Sequence, residues 1–173
     1  AYGNEVAIWD KDRNHLPAHI EGEIMIRGDN VMQGYLDRPE ETKKTLTSDG
    51  WLHTGDLGHI DEDGYIFVTG RIKELIIKGG ENIAPREVDE ALMAHDSVLE
   101  AAAFPVSCDD YGQRVEACVT LKSGTSETAE SLRAFCSKQV GAFKAPDRIH
   151  FLDELPKGPS GKVQRLKLVE LLT

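Results

Sequence analysis

The sequence lacks several features that would assign it at once to a familiar class of protein. Its 173 residues contain no run of about 18 apolar residues, so no membrane-spanning helix is predicted. Neither an H-E-x-x-H zinc motif nor a G-x-S-x-G nucleophile motif occurs. His15 and His19 are four residues apart, but Pro17 lies between them and disfavours a helical metal-binding pair. No metal site is therefore predicted from the sequence.

Cysteine and positive charge are also scarce. The three cysteines, Cys108, Cys118 and Cys136, form no C-x-x-C pair, which favours reduced thiols in a cytoplasmic protein. The chain has 20 Lys and Arg residues against 30 Asp and Glu residues, a formal net charge of −10. An acidic chain is a poor bulk ligand for nucleic acid, so no nucleic acid partner is expected.

The ends of the chain carry two further signals. The first residues read AYGNEVAIWD, without a basic-then-apolar leader, and we interpret them as the cut edge of a longer protein. Near the other end, residues 144–167 hold six basic side chains against three acidic ones, which reverses the charge of the rest of the chain. From charge alone this stretch is best explained as a solvated face with scattered lysines, but a local basic patch suits a small anion better than nucleic acid.

Apolar periodicity predicts an α+β fold in two parts, divided between Gly70 and Glu74. The first part, 1–70, is mostly β, and the second, 71–173, is a compact α+β domain with a small central sheet and flanking helices. In the first part we predict strands at 4–10 and 21–27, a helix over 39–46 and a hairpin over 59–71. In the second we predict strands at 72–78, 98–106, 114–121 and 148–154, helices over 85–95, 127–140 and 163–172, and a turn at 79–82.

Three short motifs stand out from this background. WLHTGDLG (51–58) is interpreted as a tight turn that presents the Asp56 carboxylate, which could accept hydrogen bonds from two ribose hydroxyls; an ordinary Asx-type turn is the alternative. GRIKELIIKGGENI (70–83) has a Gly-Arg pair at one end and two glycines at the other, which ordinary turn punctuation would also explain.

The third motif, PKGPSGKVQR (156–165), places Lys162 directly after a glycine and before a predicted helix. It is not a Walker phosphate loop, because Pro156 and Val163 occupy positions where that loop needs Gly and Ser/Thr. Gly161 allows close backbone approach, and the N-terminus of the helix favours an anion near the lysine. Taken alone, the motif is better explained as a loop that carries an exposed lysine.

Together, and in this order, the three motifs resemble the last three core motifs of the adenylate-forming enzymes. These enzymes include acyl-CoA synthetases, aryl-CoA ligases, luciferases and peptide-synthetase adenylation domains. The preceding segment GEIMIRGDNVMQGYLDRPEET is similar to theirs as well, so that the resemblance covers residues 20–167. It implies that 1–70 form the last β-rich, distorted barrel-like subdomain of a large N-terminal domain. It also implies that 71–173 form the mobile C-terminal AMP-binding domain.

The resemblance implies an ATP-dependent acid–thiol ligase, in which an acyl-adenylate forms first and a thiol then captures the acyl group. By motif match, Asp56 and Arg71 would bind the ribose hydroxyls of the nucleotide, and Lys73 falls at the hinge position. Lys162 matches the catalytic lysine, which contacts the acyl carboxylate and the α-phosphate. The same context implies possible control by a lysine acetylase and deacetylase acting on Lys162.

The thioester step implies a coenzyme A site on another face of the C-terminal domain. Gly79 and Gly80 match the lining of the pantetheine tunnel, and Tyr111, Phe143 and Lys144 match nucleotide-contacting positions. Some relatives have an arginine after that lysine, whereas this sequence has Ala145.

What the resemblance implies about partners extends beyond this chain. The substrates would be a carboxylic acid, Mg-ATP and coenzyme A, with the Mg²⁺ ligands expected upstream in the missing N-terminal domain. The isolated 173 residues are expected to be inactive. Two alternatives remain open: an adenylation domain that loads a carrier protein, and a non-catalytic regulatory or binding module with the same fold.

Overall fold

The computed structural model describes residues 3–172. They divide into two compact units, of which the first ends at Lys73 and the second begins at Glu74. Each unit has its own β-sheet and its own buried apolar cluster. The α+β class predicted from the sequence is confirmed.

The first unit is built on an antiparallel sheet with the strand order β1-β2-β3-β4. Its elements are β1 (Glu5–Trp9), β2 (Gly22–Arg27), helix α1 (Pro39–Thr45), β3 (Leu52–Ile60) and β4 (Ile66–Arg71). Because side chains alternate along a strand, Ala7 and Trp9 share a face with Met25, where Trp51 completes the core. The Arg27 guanidinium lies 4.7 Å from the centre of the Trp51 ring. Among residues 3–172, no pairing joins β1 to β4, so the sheet is open.

The hairpin predicted over 59–71 is confirmed, with its turn between β3 and β4. Asp61 organises the turn, because its Oδ1 accepts hydrogen bonds from the backbone N–H groups of Asp63 and Tyr65, at 3.1 and 2.8 Å. Gly64 has a φ of +83°, a left-handed conformation that glycine adopts without strain.

The second unit is a five-stranded sheet with helices on both faces. Its elements are β5 (Ile76–Lys78), β6 (Glu81–Ile83), α2 (Pro85–Met93), β7 (Val98–Cys108), β8 (Gly112–Leu121), α3 (Ala129–Val140), β9 (Arg148–Phe151) and α4 (Arg165–Leu172). The antiparallel order is β6-β5-β8-β7, and β9 pairs with β8 in parallel. Alternation along β7 sends Ala101 and Ala103 into the main core with α2 and α3. Ala102 and Phe104 enter a smaller cluster with Leu168 of α4 on the opposite face.

Several predicted element boundaries differ from the structure, and three of these differences have a local reason. Residues 72–78 do not form one strand, because Ile72–Glu74 is a 3₁₀ turn and β5 begins only at Ile76. Residues 79–82 are not all turn, since β6 begins at Glu81 and pairs with β5 across a two-glycine loop. The last helix begins at Arg165 rather than at 163, because the preceding residues form a closed loop.

Candidate functional site

Asp56 and Arg71, fifteen residues apart in the sequence, lie opposite each other on β3 and β4. Their Cα atoms are partners in the antiparallel register, and the Arg71 Nε donates to Asp56 Oδ1 at 2.6 Å. The two side chains are 36% and 43% exposed, so both remain accessible to a ligand. A carboxylate and a guanidinium fixed side by side offer hydrogen-bond acceptors and donors to a diol.

The segment around Asp56 is a bulge inside a strand, and the tight turn predicted from its sequence was wrong. β3 runs from Leu52 to Ile60 without interruption. On β2 the register moves two residues, from Glu23 to Met25, while on β3 it moves four, so β3 carries extra residues here. Gly55 supports the bulge with a φ of +71°.

Glu23 stabilises this bulge through hydrogen bonds, a role that was not predicted from the sequence. Its Oε1 accepts from the Gly55 backbone N–H at 3.0 Å, and its Oε2 lies 2.8 Å from His53 Nδ1. The Thr54 hydroxyl adds a second support, because it accepts from the Asp56 N–H at 3.0 Å. A single glutamate before an apolar run carries no sequence signal for this role.

Lys73 lies in the 3₁₀ turn Ile72–Glu74 and is the last residue of the first unit. Its role as a hinge stays a prediction. The chain leaves the turn at Glu74, whose carboxylate lies 3.4 Å from Arg165 Nε within the second unit.

The structure brings Gly79, Tyr111 and Phe143 together at one end of the second sheet. Gly79 and Gly80 form the β5–β6 loop with φ values of +57° and +86°, as a two-residue hairpin loop requires. The Gly79 N–H donates to the Tyr111 carbonyl at 2.9 Å. The Tyr111 and Phe143 rings meet edge to face with centroids 6.3 Å apart.

Lys78 lies beneath this aromatic pair and was missed by the sequence reasoning. The residue is only 5% exposed, and its ammonium donates to the Phe143 carbonyl at 3.0 Å and to Asp147 Oδ2 at 3.1 Å. The same Nζ lies 5.2 Å from the Phe143 ring centre and 5.9 Å from that of Tyr111. The one available signal was a lysine placed between an apolar strand and a glycine loop.

Lys144 forms an ion pair with Glu87, whereas the neighbouring Phe143 packs against Tyr111. Its ammonium donates to both carboxylate oxygens of Glu87 at 2.8 Å. A phosphate that approached Lys144 would therefore compete with Glu87 for the ammonium group.

Lys162 is exposed on a closed loop between Pro156 and Gln164. The Gly158 N–H donates to the Lys162 carbonyl at 2.9 Å, and the Gln164 N–H donates to the Pro156 carbonyl at 2.8 Å. Gly161 has a φ of +76°, which allows the chain to reverse just before the lysine. The backbone of Lys162 is thus held while its side chain projects into solvent.

The described part of the chain contains no obvious metal centre and no long apolar helix. No group of three or more His, Cys, Asp or Glu side chains within residues 3–172 could hold a metal ion. In the same residues, no helix is long and apolar enough to cross a membrane.

Comparison with known proteins identifies the family. Residues 87–162 match the family model of the AMP-binding enzyme C-terminal domain. The sulfoacetate–CoA ligase of Cupriavidus necator is 50% identical over 167 residues, which are 96% of this chain and 33% of that protein. The oxalate–CoA ligase of Arabidopsis thaliana is 45% identical over 94% of this chain and 32% of its own length. The chain thus spans about a third of the length of these relatives.

Solved structures agree with this assignment. ATP-bound MatB from Rhodopseudomonas palustris superposes with a TM-score of 0.92 at 36% identity, over 98% of this chain and 34% of that one. The amide bond synthetase McbA from Marinactinospora thermotolerans gives a TM-score of 0.94 at 35% identity, over 99% and 35%. The fold and motifs therefore define the C-terminal portion of an AMP-binding enzyme. The chain belongs to the adenylate-forming enzymes, as the three motifs predicted.

Proposed function

We propose that this chain is the C-terminal part of an AMP-forming acid–thiol ligase. In the longer enzyme, hereafter the intact enzyme, a carboxylic acid and Mg-ATP give an acyl-adenylate and pyrophosphate. The thiol of coenzyme A then displaces AMP and carries the acyl group away. The observation that carries this proposal is the joint presence of the facing Asp56–Arg71 pair and the exposed Lys162 on its closed loop. Similarity to two CoA ligases along nearly the whole chain supports it.

In the adenylation step, Asp56 and Arg71 bind the ribose hydroxyls, and Lys162 stabilises negative charge. The Lys162 ammonium contacts the attacking carboxylate and the α-phosphate, where charge redistributes in the transition state. Its exposure and the firm backbone around it suit a point charge on a mobile side chain. Residues 3–172 offer no cluster of metal ligands, so the groups that coordinate Mg²⁺ are assigned to the upstream part of the intact enzyme.

In the thioester step, the loop of Gly79 and Gly80 lines the path of the pantetheine arm, and Tyr111 and Phe143 contact the nucleotide end of coenzyme A. A side chain at Gly79 would approach Tyr111 Cδ1 to 3.1 Å, so glycine keeps this passage narrow but open. When coenzyme A binds, the Lys144 ammonium leaves Glu87 and pairs with a phosphate of coenzyme A. Lys73 is the hinge about which residues 71–173 rotate between the two half-reactions, and residues 1–70 belong to the large N-terminal domain.

Two further assignments follow from the same proposal. The enzyme works in the cytoplasm, in agreement with three free cysteines. Acetylation of Lys162 by a lysine acetylase removes the ammonium charge and stops adenylation, and a deacetylase restores it. The exposure of Lys162 supports access by such enzymes.

The proposal is tested by separating the half-reactions in the intact enzyme. Lys162→Ala is expected to slow acid-dependent ATP–pyrophosphate exchange by about 10²–10³-fold, because it removes one preorganised charge from the transition state. Thioester formation from supplied acyl-adenylate and coenzyme A is expected to persist. Lys167→Ala, at another exposed lysine near the loop, is the control. Equal loss of both half-reactions in Lys162→Ala contradicts the assigned role.

Product analysis then identifies the acceptor. Acyl-CoA formed from acid, ATP and coenzyme A supports the ligase, whereas acylation of a phosphopantetheinyl protein alone supports a carrier-loading domain. Absence of adenylation in the intact enzyme would favour a non-catalytic binding module. The isolated 173 residues are expected to show no exchange, and measurable exchange would contradict the need for an upstream domain.

A further inference from the structure

Arg165, the first residue of α4, joins three separate parts of the second unit. Its Nη2 lies 2.6 Å from Asp89 Oδ2 of α2, and its Nη1 donates to the Ala103 carbonyl of β7 at 2.8 Å. Its Nε lies 3.4 Å from Glu74, the residue that follows the proposed hinge. The Arg165 side chain is 22% exposed, so these contacts occupy a largely buried guanidinium.

The contact with β7 closes an open sheet edge. β7 is the last strand in its sheet order, so within residues 3–172 its outer N–H and C=O groups have no strand partner on that side. Asp89 Oδ1 accepts from the Ala103 N–H at 2.6 Å, while Arg165 donates to the carbonyl of the same residue. Both backbone groups of Ala103 are thus satisfied by one ion pair, which fixes Arg165 relative to the sheet.

The Asp89–Arg165 ion pair is buried, unlike the exposed ion pairs on the surface of the unit. The Asp89 side chain is 8% exposed, and burial raises its pKa, while the charge of Arg165 opposes that rise. Removal of one partner from such a pair leaves a buried group without compensation. Movement of Arg165 away from Asp89 would therefore be costly.

Only two residues separate Arg165 from Lys162, and both are held. Val163 packs against the smaller core cluster, and the Gln164 N–H closes the loop onto the Pro156 carbonyl. The other end of the loop is fixed where Lys157 pairs with Glu100 of β7 at 2.7 Å. The stem of the lysine loop, residues 156–157 and 163–165, is thus anchored by the contacts of Arg165 at one end and by the contact of Lys157 with β7 at the other.

We infer that Arg165 is the positioning residue of Lys162: its three-way contact with Asp89, Ala103 and Glu74 sets the place from which the lysine reaches the reacting groups. This inference rests on the proposed function, because it assigns Lys162 the adenylation step. Arg165 itself touches no substrate in this role. A displacement of about 1 Å at a catalytic group can cost on the order of 10²-fold in rate, so the geometry of the stem matters for activity.

The test uses Arg165→Lys in the intact enzyme, which keeps the charge beside Asp89 but loses the planar fork. We expect kcat of adenylation to fall about 10-fold or more, with KM for ATP little changed, because the stem is displaced while the ribose site is intact. Thioester formation from supplied acyl-adenylate should keep its rate. Hydrogen exchange at the Gly158, Gly161 and Gln164 amides should accelerate, since these amides close the loop.

The control is Arg86→Lys, at an arginine of α2 whose ion pair with Glu90 is exposed; it should leave the loop amides and both half-reactions unchanged. Wild-type exchange rates and wild-type adenylation in Arg165→Lys would overturn the inference, as would an equal fall in both half-reactions. If Arg165→Lys does not fold, the inference is tested with Glu74→Gln. This variant removes the contact of Glu74 with Arg165 but leaves the buried Arg165–Asp89 pair intact. A smaller, adenylation-specific loss in Glu74→Gln supports the inference, and wild-type rates overturn it.

The same measurements separate this inference from the proposed function. If the unmodified intact enzyme shows no acid-dependent exchange of pyrophosphate, the proposed function fails. Hydrogen exchange at the loop amides does not depend on activity. If the intact enzyme is active but these amides exchange at wild-type rates in Arg165→Lys, only the positioning role is rejected.

Discussion

Arg71 donates through Nε to Asp56 Oδ1 at 2.6 Å across two neighbouring strands. Since both side chains are more than one-third exposed, the pair adds little to folding stability. Its value lies in fixing a carboxylate and a guanidinium side by side, with the carboxylate raised on a bulge. We propose that the pair is a preformed site for vicinal hydroxyls.

Asp56→Asn tests this site in the intact enzyme. We expect KM for ATP in the adenylation reaction to rise about 10-fold or more, because hydrogen bonds to a charged group contribute about 1.5–3 kcal/mol. The midpoint of thermal unfolding should stay close to that of the wild type. Glu5→Gln removes a similar exposed ion pair with Arg27, also at 2.6 Å, elsewhere in the same sheet and is the matched control. An unchanged KM for ATP in Asp56→Asn, or an equal rise in the control, would contradict the assignment.

The two glycines of the β5–β6 loop allow a comparison in which backbone strain is held constant. Both have positive φ, so alanine at either position should cost about 1–2 kcal/mol of stability. A Cβ at Gly79 would also meet Tyr111 at 3.1 Å and Phe143 at 3.6 Å, whereas one at Gly80 has nothing within 4 Å. We expect Gly79→Ala to raise KM for coenzyme A more than Gly80→Ala does, because only the Cβ at Gly79 also presses on Tyr111. Thioester kinetics with supplied acyl-adenylate measure the difference, and equal values in the two variants would refute a role for the Gly79–Tyr111 contact.

Sequence patterns predicted the parts of this structure that depend on local chemistry. Apolar alternation located β7 and β8, and the proline at position 85 marked the start of α2. The motifs selected Asp56 and Arg71, which the structure brings into contact.

The missed residues depend on contacts that are distant in the sequence. Lys78 meets Asp147 sixty-nine residues later, and Arg165 meets Asp89 across seventy-six. No local period encodes such pairs. The sequence around Gly55 predicts a turn because Thr-Gly-Asp with glycine at positive φ is typical of both tight turns and β-bulges. Only the register with β2 distinguishes them.

Lys78 is expected to support the aromatic pair rather than to bind a ligand directly. Lys78→Met should destabilise the enzyme by about 2–3 kcal/mol, because two hydrogen bonds from a buried ammonium are lost. The Phe143 carbonyl also loses its donor, so KM for coenzyme A should rise with the loss of stability. Lys144→Met, which breaks a more exposed pair with Glu87, should raise KM for coenzyme A with little change in the unfolding midpoint. Denaturant unfolding and thioester kinetics together separate the two lysines; a stable Lys78→Met variant with normal kinetics would argue against the support role.

The three cysteines should differ sharply in reactivity toward iodoacetamide. Burial raises the pKa of Cys118 to about 11, with the Glu116 carboxylate adding to the effect, and burial raises the pKa of Cys136 to about 11 as well. At pH 7 only about one in 10⁴ of these buried thiols is ionised, and only the thiolate reacts. Cys108 is partly exposed at the end of β7 and should be alkylated first in the native enzyme.

The expected dependence of the alkylation rates on pH follows from these raised pKa values. Between pH 7 and pH 9 the thiolate fraction of Cys118 and Cys136 grows about tenfold per unit, yet both sulfurs stay inside the core, so alkylation should remain slow until the unit unfolds. Peptide mass spectrometry after a timed reaction measures each site, and unfolding in guanidinium should bring all three cysteines to comparable rates. Alkylation of native Cys118 as fast as Cys108 at pH 7 would show that the smaller core cluster opens readily. The stem of the Lys162 loop, which packs against that cluster through Val163, would then be less rigid than its contacts indicate.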